Sequence, residues 1–548
     1  MVITPNSDVI LLKCPLELSQ DNQINFSNAT TQYNYFYGLS KYIAGTNFTY
    51  QRKDGVIRVP VNFDSLIEYN YVMYRNDNYS NKWFYAFIEN MEYVNDNMTA
   101  VKIRTDTFQT WQFDLTYKRC FIEREHVNDD TVGKNILPEN VELGDYVING
   151  TVKNNCLLPT TTQDPTTETN VMYICFQVSD YPDGNGALTP TIGDDVSANV
   201  YNGVYSGLDY LFVLVPEQAS RLIRCYDKAN KADSIVSIFQ VPIGVVSDLV
   251  LVNYRDNDNN LITIGTLPSG YNPTSLLGTT LTKPTTIDSY TPVNKKLLTF
   301  PYCYFYASNN AGTEVQYNYE DFNGNPAFSI DAAISQGMSI KAYPTNYKKG
   351  TGKDGYNFGI NCGKLPVCAW NSDYYTNWCT QNAINMPMSV ASSVMGGIAG
   401  VAGSVMSHNP IGVGISVANA FVGVQQAMSR DYEASIAPDQ ARGNSNCGDI
   451  NIAEKRFGFT FYPMSIKSQY AQLIDSYFSM YGYQVNSVKV PNITGRANWN
   501  YVKTVGSHIL ADIPQEDLQE IKNMFDNGIT IWHNTSTFMD YSQSNAIV

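Results

Sequence analysis

KWFYAFIE (Lys82–Glu89) and, shortly after it, VKIR (Val101–Arg104) decide the fold class. The first run is apolar on both faces. The second alternates, with Val101 and Ile103 on one face and Lys102 and Arg104 on the other, as a strand with one face in a core must. Val56-Ile-Arg-Val-Pro-Val61 is a further β-branched run, and Pro60, having no N–H to donate, places it at a sheet edge or a strand end. Asn76-Asp77-Asn78 supplies turn chemistry ahead of the Lys82 run. The first 125 or so residues therefore read as strands and turns.

Residues 127 to 300 are rich in Thr, Pro, Asn, Asp and Gly, with short apolar runs at Met172–Val178 and Tyr210–Val215 between them. They read as inserted β domains with long loops. Helical periodicity comes late. Tyr470, Leu473, Ile474, Tyr477, Phe478 and Tyr481 fall on one stripe of a helix over Ser468–Tyr481, with Gly482 as its left-handed stop. A second helix follows Pro514, with Leu518, Ile521 and Phe525 on one face and Glu516 and Asp517 at its positive end; Asn527-Gly528 ends it and Ile529–Trp532 is a short strand. The fold class is mainly β with a few helices (α+β), in several domains.

Composition narrows the function. The chain has 548 residues, 51 Asp+Glu against 36 Lys+Arg, and a net charge of −15. Gripping nucleic acid through its phosphates needs clustered Lys and Arg, so this balance argues against it. Charged residues make up only 16%, while there are 40 Tyr, a mixture common in β-rich assemblies that bury polar-aromatic interfaces. The N-terminus, MVITPNSDVILLKCPLELSQ, lacks a basic region, a sustained apolar core and a small-residue cleavage site, and does not read as a secretory signal. Ten scattered cysteines then read as small buried hydrophobes in a reducing cytosol.

No H-E-x-x-H, G-x-S-x-G or G-x-x-x-x-G-K-[ST] signature occurs, and the four histidines (126, 408, 508, 533) are scattered. Glu123-Arg-Glu125-His126 is open to two readings, a proton-transfer or ligand pair and an ion-pair face. In a regular strand the two glutamates share a face and His126 points away, which favours the ion-pair face. Cys362, Cys368 and Cys379 match no common zinc spacing, although with Cys447 they could form a metal knot. No catalytic residue, metal site or cofactor is expected.

The outstanding anomaly lies between Asp373 and Arg430, where no charged side chain occurs. MPMSVASSVMGGIAGVAGSVM (Met386–Met406) and IGVGISVANAFVGVQQAM (Ile411–Met428) flank a break at Ser407–Pro410. As helices, both arms would cross or nearly cross a hydrocarbon layer of ~30 Å. Gly396, Gly400 and Ser404 put small residues on one helix face, the pattern that lets helices approach closely in a membrane. A buried core hairpin is the plainer reading, but each glycine would cost such a helix about 1 kcal/mol relative to alanine. Small apolar loops filling a central cavity are a third reading. A hairpin sheltered in an oligomer and later exposed fits best, since a monomer exposing this tract would aggregate.

Several stretches resemble the tail knob (distal tail tube) proteins of small short-tailed phages that infect Gram-positive bacteria. They are Asn81-Lys-Trp-Phe-Tyr-Ala-Phe87, Asp106-Thr-Phe-Gln-Thr-Trp-Gln-Phe-Asp114, Phe121-Ile-Glu-Arg-Glu-His-Val127 and Phe525-Asp-Asn-Gly-Ile-Thr-Ile-Trp-His533. Tyr477–Tyr483, Val488-Lys-Val-Pro-Asn492 and Asn498-Trp-Asn-Tyr-Val502 resemble the same family. The resemblance spans residues 65–127 and 385–535, in the family's order.

The resemblance implies a non-enzymatic virion protein, assembled in the host cytoplasm as a homo-hexameric, β-barrel-like tube wall at the distal end of the tail. Residues 1–127 and 431–548 would build the wall, 128–380 the inserted outer or lower domains, and 381–430 the apolar plug and membrane-active loop. Expected partners are the upper tube and collar proteins of the tail, the host cytoplasmic membrane, and genomic DNA that passes through the lumen without specific binding. The plug residues would be Met386, Val390, Val394, Gly396, Ile398, Gly400, Val401, Val405, Ile411, Val413, Ile415, Val417, Phe421 and Val424, with His408 and Pro410 at the turn. Two rival readings are a host-receptor-binding tail protein and a tail-borne cell-wall hydrolase.

Overall fold

The structure, a computed structural model, describes residues 7–48, 55–76, 81–158, 170–178, 180–182, 200–201, 204–205, 209–246, 249–256, 258–267, 279–331, 340–351, 355–362, 368–371, 442–443 and 455–548. The chain divides into two compact units. The first gathers Met1–Asp145, Thr285–Tyr302 and Ile466–Val548; the second gathers Tyr146–Pro284 and Cys303–Ser465. The protein is mainly β, as its patterning predicts.

In the first unit, a six-stranded antiparallel sheet runs in the order Lys41–Phe48, Ser7–Leu12, Tyr71–Asn76, Trp83–Asn95, Met98–Thr105, Val56–Val59. Its two edge strands come close to one another, so the sheet curls towards a barrel without closing. Both faces are buried, and the apolar run Val9–Leu12 shows why: Val9 and Leu11 join one core cluster, Ile10 and Leu12 the other. The VKIR alternation holds, with Val101 and Ile103 buried, Lys102 exposed and Arg104 half-buried. Val56–Val59 is the edge strand that Pro60 foretells.

A helix at Ala29–Gly38 corrects the expectation of strands and turns alone for this part of the chain. Its sequence, ATTQYNYFYG, is rich in residues that favour strands and carries no apolar stripe. Two features hold it. Asn28 caps the first turn, its side chain accepting from the Thr31 N–H at 2.8 Å, and Phe36 is buried against the Tyr71 and Tyr85 rings at centroid distances of 5.5 and 4.6 Å.

The unit's second sheet interleaves the two ends of the chain. Its order is Asn22–Ile24, Ile529–Trp532, Trp499–Val505, Cys120–Glu125, Tyr483–Lys489, and the first pair is parallel. Trp499 and Trp532 face each other across adjacent strands, fully buried with ring centroids 4.8 Å apart. The helix predicted after Pro514 occupies Gln515–Asn527 and packs Leu518, Ile521, Met524 and Phe525 against Val502, Ile529 and Ile531.

The Ser468–Tyr481 helix has the expected bounds and buries Ile474 and Phe478 of the predicted stripe, but the buried face is turned towards Ala471 and Asp475. Leu473 is 68% exposed and Tyr481 39%, whereas Ala471, Ile474, Asp475 and Phe478 are buried. The helix is turned because Asp475 points inward. Its carboxylate accepts from Tyr290 Oη at 2.6 Å, Val293 N at 2.7 Å, Asn294 N at 2.9 Å and Asn294 Nδ2 at 2.7 Å. Gly482 then ends the helix at φ +63°, where a Cβ would stand 2.2 Å from the Glu125 carbonyl oxygen.

The second unit contains a seven-stranded sheet in the order Val250–Arg255, Leu261–Thr266, Asp209–Val213, Met172–Val178, Ile235–Pro242, Cys368–Asn371, Arg442–Gly443. One part of this sequence is not β. Pro216–Lys228 is a helix that packs Ala219, Leu222, Cys225 and Tyr226 against the sheet's Phe176, Leu211, Val213 and Ile264. Five- and four-stranded sheets complete the unit around an aromatic core of Phe305, Tyr317, Phe322, Phe328 and Phe461. Cys14, Cys120, Cys156, Cys175 and Cys303 are buried thiols, and burial pushes Cys303 up to about 12.

Asp475→Ala leaves three donors with no acceptor, the Tyr290 hydroxyl and the Val293 and Asn294 N–H groups, while Asn294 Nδ2 keeps Ser479 Oγ. Each orphaned buried donor costs about 1–3 kcal/mol, so this variant is expected to lose more than about 3 kcal/mol in denaturant unfolding. The exposed neighbouring change Ser476→Ala is expected to stay within about 0.5 kcal/mol of the parent.

Candidate functional site

Strand Cys120–Glu125 is the hub of the interleaved sheet, with Trp499–Val505 on one side and Tyr483–Lys489 on the other. At its start the side chains alternate. Ile122 is buried, and Phe121 faces outward directly opposite Val488 on one neighbour and Val505 on the other. The three form one apolar row across three strands, exposed by 58% (Val488), 39% (Phe121) and 55% (Val505). The patterning of Phe121 and Ile122 carried this signal, but only the register reveals the row.

Farther along the strand the alternation breaks. Irregularities in both neighbouring ladders, at Gln484/Ser487 and Lys503/Thr504, sit beside it, so Glu123 and Glu125 do not share an environment as a regular strand would dictate. Glu123 stays half-exposed and pairs with Lys503 at 3.0 Å. Glu125 is buried, receives the Asn492 N–H at 3.0 Å and forms an ion pair with Lys489. Burial raises its carboxyl above the usual range, and Lys489 opposes this.

Arg124 turns the other way. It donates to the Gly482 carbonyl at 2.6 Å, lies over the Tyr477 ring at 4.7 Å and pairs with Glu139. Glu139 is fully buried and also takes Lys296 Nζ at 2.5 Å and the Gln484 N–H at 2.8 Å. Burial lowers Lys296, and the Glu139 carboxylate holds it up. A buried carboxylate with two cations and a backbone donor is well compensated, and it joins three separate stretches of chain.

His126 is 98% buried, and both its nitrogens are committed. Nδ1 accepts the Tyr501 N–H at 2.8 Å and Nε2 lies 3.1 Å from the Ser479 carbonyl, which fixes the neutral tautomer with its proton on Nε2. Burial, reinforced by the Arg496 charge, pushes its pKa down to about 3. The Glu123–His126 motif is thus a structural node, with an ion-pair face at Glu123 and buried pairs behind it.

Met386, Val390, Val394, Gly396, Ile398, Gly400, Val401, Val405, Ile411, Val413, Ile415, Val417, Phe421, Val424, His408 and Pro410 all lie outside the described residues. So do Cys379 and Cys447 of the cysteine group. Among the described residues no cluster of three His, Cys, Asp or Glu side chains is placed to hold a metal ion, and no helix is long and apolar enough to cross a membrane.

Residues 269–546, just over half of the chain, match the family model described as the C-terminal domain of the Bacillus phage phi29 tail knob protein gp9. The chain belongs to the phage tail knob protein family. Residues 6–116 also match a model of the N-terminus of caudoviral major tail proteins. The tail knob proteins gp9 of Bacillus phages PZA and phi29 are each 25% identical to the chain, with 98% of both partners aligned. In structure, the bacteriophage C1 tail knob protein gp12 covers 99% of this chain and 100% of its own at a TM-score of 0.65, with 14% identity, and so shares its fold. This tail knob protein is accordingly a structural component of the distal tail of a short-tailed phage, associated with other tail proteins, and its relatives are named as tail knob proteins rather than as enzymes.

His126 makes the knob protein acid-sensitive in a defined window. Below a pH of about 6.5 the unfolded imidazole takes up a proton, while the folded one does not until about 3. Stability from this residue is therefore complete above 6.5 and falls as pH drops towards 3, with a slope approaching 1.4 kcal/mol per pH unit, on the order of the full single-proton value. The difference in unfolding free energy between the parent and His126→Asn, followed from pH 7.5 to 4.5, is expected to shrink along that slope.

Proposed function

We propose that this tail knob protein forms a homo-hexameric distal tube that closes the DNA exit and then opens the host membrane for genome ejection. The carrying observation is the uncharged tract Met386–Met428, two membrane-length apolar arms inside a chain whose net charge is −15. In the resting tail, residues 381–430 of six subunits fold inward, and their small side chains let several apolar segments share a narrow axis. On release, each arm satisfies its backbone hydrogen bonds as a helix, the condition for crossing a bilayer. Ser407–Pro410 forms the turn.

The unit in which both chain ends co-fold is well suited to be the tube wall, with the inserted residues forming the outer or lower part. Its exposed row of Val488, Phe121 and Val505 is a surface that subunit association would cover. The acidic balance fits a lumen through which DNA slides without being held, because a basic lining would retain the phosphates. Upper tube and collar proteins cap the ring on the capsid side.

Deleting residues 386–428 is expected to leave the ring intact in native mass spectrometry and to abolish dye leakage from liposomes. Gly400→Asp with Val401→Asp is expected to act in the same way, since each charge at mid-bilayer costs about 2.5–3.5 kcal/mol on insertion scales. Leakage equal to that of the parent would leave the tract a plug and nothing more. Phe121→Asp with Val488→Asp tests the wall separately: the ring is expected to dissociate into folded subunits, and an intact ring would exclude this row as a subunit contact.

A further inference from the structure

Within the interleaved unit a cavity of about 390 Å³ opens where four stretches of chain meet, around residues 290–294, 475–480, 496–499 and 541–545. Its hydrogen-bonding capacity is almost wholly used. The Asp475 carboxylate is filled by its four donors, and the Asn294 amide bonds to Asp475 and to Ser479 Oγ. The Asn545 side chain accepts from the Asn498 and Trp499 N–H groups and donates to the Trp499 carbonyl, while Gln543 donates to Asp540. A neutral sugar, which needs many spare donors and acceptors, would find few here.

Arg496 is the exception. It lines the cavity, is 92% buried, and its Nε has no hydrogen-bond partner. Nη1 makes one long bond, 3.4 Å, to the Asn545 carbonyl. Asp130 acts on the guanidinium only through space, its own oxygens being bound to Tyr483 Oη at 2.6 Å and Lys295 N at 3.1 Å. A buried guanidinium whose terminal nitrogens make one long bond between them carries a desolvation cost that an oxyanion relieves, because the two terminal nitrogens together form a two-pronged donor.

We propose that this cavity is a binding site for a compact molecule bearing one carboxylate or phosphate group, held end-on by the terminal nitrogens of Arg496. The volume admits a ligand of monosaccharide size, and the half-buried Tyr541 offers ring surface to its uncharged part. Because residues 290–294 lie far in sequence from the other three stretches, an occupied site also fastens the unit together.

Binding is read by calorimetry and by tryptophan fluorescence on the full-length protein, with acetate, glucuronate and inorganic phosphate as oxyanion probes and glucose as the neutral counterpart of glucuronate. Saturable binding of at least one oxyanion, with glucose at least about tenfold weaker than glucuronate if glucuronate is the ligand, is the expected result, as is a rise in melting temperature with that ligand. The preferred probe tells carboxylate from phosphate. Arg496→Gln is expected to weaken binding at least about tenfold, and Arg496→Lys, which keeps the charge but loses the fork, to weaken it as well. Should Arg496→Gln fail to fold, the Lys variant and the parent's oxyanion-over-glucose preference decide the matter. No saturable binding by the parent at about ten millimolar probe, equal binding by the folded variants, or glucose binding as well as glucuronate each overturns the proposal.

Discussion

A single carboxylate, that of Asp475, sets much of the interleaved unit. Four donors from residues 290–294 converge on it, so a stretch that lies in sequence between two parts of the other unit is fixed to the Ser468–Tyr481 helix. That helix in turn ends at Gly482, hard against the Glu125 carbonyl, which brings the hub strand and the buried Glu139 pairs into register. Hydrogen bonds to a charged acceptor are stronger than neutral ones, and in a buried setting leaving any of them unmade is costly. The arrangement therefore has one answer. A helix rotated by one residue would carry the carboxylate away from these donors and leave them without an acceptor.

The same interaction explains where the sequence misleads. A stripe of Tyr470, Leu473, Ile474, Tyr477, Phe478 and Tyr481 is a sound reading if aspartate faces water; here Asp475 turns inward, so Ile474 and Phe478 are buried while Leu473 and Tyr481 are exposed. The period and bounds of that helix were legible, as were its glycine stop, the helix after Pro514, the Ile529–Trp532 strand and the VKIR alternation, because each follows from local chemistry alone. Ala29–Gly38 was not, since its residues favour strands and its support comes from Asn28 and from rings far away in sequence. Pro216–Lys228 carries its helix signals in its own sequence, with Pro at its start, Glu217 in the first turn and apolar residues at helical spacing.

The candidate sites divide in the same manner. The apolar tract announces itself by composition, and needs no partner residue to be noticed. The Phe121 row and the Arg496 cavity could not be read in this way. Val488 and Val505 stand opposite Phe121 only because two ladders from the far end of the chain close on that strand, and Arg496 is isolated by what its neighbours bind rather than by its own surroundings in sequence. Pairing across some hundreds of residues is a property of topology, and the one-dimensional pattern is silent about it.

That topology has a consequence for how the protein is made. Strand Cys120–Glu125 finds both its neighbours only beyond Tyr483, and Asn22–Ile24 finds its own at Ile529–Trp532. At ordinary rates of synthesis of about 5–20 residues per second, the hub strand waits roughly 20–80 seconds after leaving the ribosome before its last neighbour exists. Throughout that time both its edges are bare, the condition under which strands of different nascent chains pair wrongly. Glu123-Arg124-Glu125 places three charges in succession in that strand, and charged residues disfavour such pairing because burying them in a foreign ladder is costly. The charges that later become Glu123–Lys503, Arg124–Glu139 and Glu125–Lys489 thus guard the strand first and fasten it afterwards.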